Sequence, residues 1–110
     1  MTAIREIFVT DILDKMRAAI KDGHFIPDER HKNLQTLADL EWTWKDVKEE
    51  LLQLQYKDFW KGPEEDNCAP ESEPYWFFKK IINGKLIYIK FKVVGGTYFL
   101  VKLKSFHEDE

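Results

Sequence analysis

The chain has 110 residues, enough for one domain with one core that buries roughly two-thirds of the surface its unfolded form exposes, and too few for a second. Apolar and aromatic residues are plentiful and Gly and Pro sparse, which excludes a disordered or low-complexity chain. The net charge of −3 hides a segregation: between Pro74 and His107 stand seven lysines and no acid.

Cys68 is the only cysteine, so no internal disulfide and no multi-cysteine zinc cage can form, which suits a reducing cytoplasm. Arg5, Glu6, Asp11 and Asp14 break up the N-terminal apolar residues and exclude a signal-peptide core. Lysines cut every later apolar run well short of a membrane span. A soluble cytoplasmic protein is expected.

From Ala3 to Lys21, Ile4, Ile7, Phe8, Ile12, Met16 and Ile20 recur at three- and four-residue steps, which predicts a helix with one buried stripe, ended by Gly23 and Pro27. A second helix is expected over Glu29 to Leu40 with Leu34, Leu37 and Ala38 inward. Thr43 and Asp46 read as a capping box for a third, running to about Gln55 with Trp44, Val47, Leu51 and Leu54 as its core face. The helical part thus spans residues 3–55.

Residues 56–74 read as a long surface loop: after Lys61 come three prolines and five acids. Loops of this length often carry function, though a structural linker is the alternative. Residues 75–106 spell three strands in YWFFKKII, KLIYIKFKVV and TYFLVKLKSF, and Asn83-Gly84 is a strong hairpin signal. The fold class is therefore α+β, with N-terminal helices packed on a C-terminal antiparallel meander in a single domain covering residues 1–110.

A two-residue turn at Asn83-Gly84 pairs Ile82 with Lys85 and sets Trp76 and Phe78 beside Phe91 and Ile89 on the core face. The other face then carries Lys79 opposite Tyr88, Phe77 opposite Lys90 and Tyr75 opposite Lys92. A two-residue turn at Gly95-Gly96 would bury two lysines, whereas a three-residue turn or bulge keeps Phe99, Val101 and Leu103 inward; the bulged turn is expected. Lys79, Lys90, Lys92, Lys102 and Lys104 then share a face with aromatic rings, a surface suited to single-stranded RNA or DNA. The same lysines could equally serve only to solvate one side of an antiparallel sheet.

The segments LLQLQYKDFWKGPEEDN, YWFFKKIINGKLIYIKFKV and LKSFHED, in that order and spacing, resemble the MqsR-family toxins, and the resemblance spans about three-quarters of the chain. It implies a RelE-like fold and a sequence-selective messenger-RNA interferase that needs no metal or other cofactor, the toxin of a type II toxin-antitoxin pair. The implied partners are single-stranded mRNA and a cognate antitoxin, with no membrane involved; whether a ribosome is needed stays open. The family's loop lysine, strand tyrosine and terminal basic residue match Lys61, Tyr88 and His107, with Lys90 in the same Y-x-K motif. One departure stands out, since Phe77 follows Trp76 where characterised members carry glutamine.

Metal-free RNA cleavage requires a base for the ribose 2′-hydroxyl, positive charge for the transition state and an acid for the leaving oxygen. An imidazole can give or take a proton near neutral pH, which makes His107 the best acid–base candidate, against a purely structural histidine beside the acidic end of the chain. Lys61 and Lys90 suit phosphate, and Tyr88 suits stacking or a hydrogen bond. His24 and His31 have no partners at metal-ligand spacing, and Asp58, Glu64, Glu65 and Asp66 read as a solvated loop run. A non-catalytic nucleic-acid-binding module and a protein-interaction domain are the competing readings.

Overall fold

At Asn83 and Gly84 the backbone turns with φ of 51° and 79°, both in the left-handed region that a two-residue hairpin turn of matching twist requires. The turn fixes Ile82 opposite Lys85, and the expected register follows without a slip: Phe78 pairs with Ile89, Phe77 with Lys90 and Trp76 with Phe91. These strands, β3 (Tyr75–Ile82) and β4 (Lys85–Val94), form the centre of the sheet.

The computed structural model describes residues 2–108. Before the hairpin come α1 (Thr2–Lys21), β1 (Phe25–Pro27), α2 (His31–Leu40), α3 (Trp44–Leu51), a 3-10 turn (Tyr56–Asp58) and β2 (Phe59–Glu64); β5 (Leu100–Glu108) follows it. The sheet has five strands in the order β1-β5-β4-β3-β2, with β1 parallel to β5 and the other neighbours antiparallel. The α+β class and the central meander agree with expectation, whereas the sheet is mixed and has two more strands than the sequence suggested. Among the described residues, no helix is long and apolar enough to cross a membrane.

Helices cover one face of the sheet. Val9, Leu13, Met16 and Ile20 of α1, Leu37 and Leu40 of α2, and Val47, Leu51 and Leu54 at and after α3 meet Phe78, Ile87, Ile89, Phe91, Leu103 and Phe106 in one core. Helix α1 ends as expected, Gly23 turning at φ 83° while His24 N–H bonds the Ala19 carbonyl. Its buried stripe differs from the expected one: Ile4, Ile7 and Phe8 are exposed, because the packed stripe begins only at Val9. Asp46 accepts both the Thr43 N–H (2.8 Å) and hydroxyl (3.2 Å) at the start of α3, but the helix stops at Leu51, short of Gln55.

Helix α2 presents a different face from the one expected. Leu34 and Ala38 point outward, and Asn33, Thr36, Leu37 and Leu40 are buried. The reason is the outer edge of β5, which β1 pairs only from Val101 to Leu103. Beyond that, Asn33 Nδ2 donates to the Lys104 carbonyl (3.0 Å), Asn33 Oδ1 accepts from Phe106 N–H (3.0 Å), and Thr36 Oγ1 accepts from Glu108 N–H (3.1 Å). Buried backbone groups demand partners, and two polar side chains of α2 stand in for a missing strand.

The loop joining β4 to β5 runs over five residues, 95–99, between the paired Val94 and Leu100. Its odd length keeps Val101 and Leu103 buried and Lys102 outward, as the bulged turn was expected to do, although Phe99 lies in the loop and is exposed. A second irregularity was not expected. Phe91 pairs with Leu103 but Lys90 pairs with Ser105, so Lys104 is a bulge in β5.

Candidate nucleic-acid interface

Side chains alternate across a strand, so the face away from the helices collects every second residue of β3 and β4. The bulge at Lys104 then sets Ser105 opposite Lys90 and His107 opposite Tyr88. Two cross-strand rows result: Lys79, Tyr88 and His107 in one, and Phe77, Lys90 and Ser105 in the next. His107, Tyr88 and Lys90, three residues singled out from sequence, are thereby neighbours.

Strand β2, read from sequence as loop, borders this face. It pairs Lys61 with Phe77, and Gly62 takes φ 123° where a Cβ would meet the Tyr75 carbonyl at 3.1 Å and the Trp76 Cα at 3.3 Å. Glycine alone fits so close a backbone approach. The strand delivers Trp60, whose ring packs edge-on against Phe77 (6.0 Å between centroids) and Tyr88 (5.3 Å). Trp60, Phe77, Tyr88, Lys90, Ser105 and His107 line a concavity of about 290 Å³. Lys79 Nζ caps the Trp60 ring at 4.6 Å.

His107 Nδ1 lies 3.0 Å from the Glu108 carbonyl oxygen. A carbonyl only accepts, so this contact places the proton of the neutral ring on Nδ1 and leaves Nε2 with its lone pair. Lys90 Nζ sits over the Tyr75 ring (4.5 Å) and the Phe77 ring (5.2 Å). Partial burial lowers its pKa below the ordinary lysine value, reinforced by the like charges of Lys104 and Arg30. A base, a cation that gives up its proton more readily than an ordinary lysine, and a phenol thus border one concavity, with aromatic faces for a base to stack on.

Other expected residues stand apart. Lys61 is two ladder steps from Lys90, ion-paired to Glu64 (3.3 Å), with its Nζ over the Trp60 (4.8 Å) and Phe77 (4.7 Å) rings. Phe77, the departure from the family pattern, fills the space between Lys61 and Lys90. Lys92 is 5% exposed and is not offered to solvent, since its Nζ donates to Asp66 (2.8 Å) and Ser72 (2.8 Å). Asp66 is correspondingly a tether of the 65–74 segment rather than a solvated loop acid, its pKa lowered by the Lys92 hydrogen bond and then by the Cys68 N–H. Lys102 is exposed, and Lys104 pairs with Asp28 (3.2 Å).

Trp60, Arg30 and Ser105 were missed from sequence. Trp60 had a signal, being adjacent to Lys61; Arg30 and Ser105, which bond each other, had none at a separation of 75 residues. His24 packs on Tyr98 with ring centroids 4.0 Å apart, and His31 is exposed at the start of α2. Asp109 and Glu110 lie outside the described residues. No known protein family, curated protein or solved structure matches the chain.

Proposed function

We propose that this protein is a metal-independent endoribonuclease of RelE-like fold, an MqsR-like toxin that cleaves mRNA at short sequences in the cytoplasm to inhibit translation, and that a cognate antitoxin holds in check. The observation that carries the reading is the meeting of His107, Tyr88 and Lys90 in one concavity beneath Trp60, on the face of the sheet opposite the packed helices. The resemblance of the DFWKGPEED, IYIK and SFHED segments to that family agrees with it.

In this reading a base stacks on Trp60 or Tyr88 and the scissile phosphate lies at Lys90. His107 Nε2 takes the proton of the ribose 2′-hydroxyl, whose oxygen attacks phosphorus. The bond to the 5′-oxygen breaks, and that oxygen takes a proton from the Lys90 ammonium. The products are a 2′,3′-cyclic phosphate and a 5′-hydroxyl, with no co-reactant consumed. Positive charge preorganised at the phosphate stabilises the transition state, the Tyr88 hydroxyl donates to a phosphate oxygen, and Lys79 and Lys102 attract the flanking strand. Lys61, ion-paired with Glu64 over the Trp60 and Phe77 rings, holds a neighbouring phosphate. An acidic antitoxin segment laid across this face would block it.

The test is incubation of the purified protein with a long single-stranded RNA in EDTA beside a folded His107→Ala variant. Cleavage at recurring short sequences, leaving cyclic phosphate ends and slowed at least about 100-fold in the variant, is expected for loss of a general base. RNA that is bound but stays intact, with and without ribosomes, would replace the nuclease with a non-catalytic binding module.

A further inference from the structure

Past Ser105 the open face changes from aromatic to cationic. Arg30 precedes α2 in extended conformation; its Nη2 donates to Ser105 Oγ, and its Nε is buried with no hydrogen-bond acceptor. Lys90 stands opposite Ser105, and Lys104 is the adjoining bulge residue. The fields of Lys104 and Arg30 both reach Lys90. One carboxylate bonds within the group, Asp28, which accepts from Lys104 Nζ (3.2 Å) and from the Arg30 backbone N–H (3.0 Å); the fields of Asp66 and Glu64 also reach Lys90, more weakly than those of the two cations, and these acids are already paired with Lys92 and Lys61. Three cations with a single bonded carboxylate leave an excess of positive charge around a buried hydroxyl, an arrangement that an anion would complete.

Two concavities meet at this group. One is that of Trp60, Tyr88 and His107. The other, about 330 Å³, is lined by Ile26, Pro27, Asp28, Tyr75, Lys102 and Lys104. Lys90 links them, its ammonium lying over Phe77 of the first and Tyr75 of the second. The first offers the rings of Trp60, Phe77 and Tyr88 and the second the single ring of Tyr75 beside Ile26, Pro27 and Leu103, each with polar groups at the rim, a pattern that can receive a nucleobase.

We propose that Arg30, Lys90 and Lys104 cradle one phosphodiester between two nucleobase sites, one under Trp60 and Tyr88 and one against Tyr75, so that the protein grips two consecutive nucleotides of a single strand. The proposal deepens the RNA reading above and rests on it for the identity of the ligand. Arginine's planar fork suits it to reach two oxygens of the same phosphate, which a lysine at this position could not do.

The experiment uses the full chain and a fluorescent all-2′-deoxy oligonucleotide, which lacks the attacking hydroxyl and so reports binding without cleavage, titrated by anisotropy from 50 to 200 mM salt. Arg30→Ala is expected to weaken binding about tenfold and to flatten the log–log salt dependence by about 0.7, the change for one lost phosphate contact on a single strand. Tyr75→Leu is expected to weaken binding to a dinucleotide while leaving a mononucleotide unaffected. Unchanged affinity and slope in folded Arg30→Ala overturn the cradle, even where RNA is cleaved. Should that variant not fold, Arg30→Lys decides: several-fold weaker binding supports the fork and equal binding overturns it. Intact RNA together with the expected Arg30 effect would sink the nuclease and leave the cradle standing.

Discussion

Lys92 shows how one side chain can exchange an expected role for another. Charge pattern set it beside Lys90 as a ligand for RNA; burial and two short hydrogen bonds make it the anchor of the 65–74 segment. The anchor depends on an ionised Asp66, whose folded pKa lies below its ordinary 3.8. A carboxyl depressed by folding contributes stability above its unfolded pKa and loses that contribution as pH falls through the folded value. Asp66→Asn is therefore expected to lower the melting temperature at pH 7, and the gap to the parent protein should close only below about pH 3.8. Melting curves from pH 7 to pH 2 check this; a gap that persists unchanged at the lowest pH would show that the ion pair is not its source.

At the scale of elements, the outer edge of β5 decides whether His107 has a fixed place. Asn33 supplies a donor and an acceptor to that strand at 0% exposure, and Thr36 an acceptor. Replacing Asn33 by alanine strands buried backbone groups, and urea unfolding is expected to register a loss of about 2–4 kcal/mol. The same residues explain what could be read in advance. Asn83-Gly84 dictates its own turn, so the register of β3 and β4 was legible to the residue. The inward face of α2 was not, because hydrophobic periodicity is blind to an asparagine and a threonine buried for their hydrogen bonds. Strand β2 was hidden behind Gly62 and Pro63, which read as breakers, although an edge strand tolerates both. The lysine–aromatic face was legible from alternation, whereas the meeting of His107 with Tyr88 turns on a bulge at Lys104 that carries no glycine to announce it.

Over the whole molecule, charge is divided between surfaces. The chain has a net charge of −3 and a pI near 5.6, yet Lys79, Lys90, Lys102, Lys104 and Arg30 lie on or beside one face of the sheet. Local potential and not net charge governs attraction to a polyanion. Retention on phosphocellulose at pH 7.5 and low salt is expected, with release as salt rises and earlier release for a Lys79→Glu, Lys102→Glu double variant; flow-through of the parent protein would refute it. The two faces themselves are held apart by very little. Were Lys104 drawn into the ladder opposite Lys90, with no bulge, everything after it would move by one step. Ser105 and His107 would turn toward the helices and Phe106, wholly buried now, would turn toward water. The strand's text is thus written in two reading frames joined at a single letter, and the bulge at that point is as much a part of the site's specification as the identity of any residue in it.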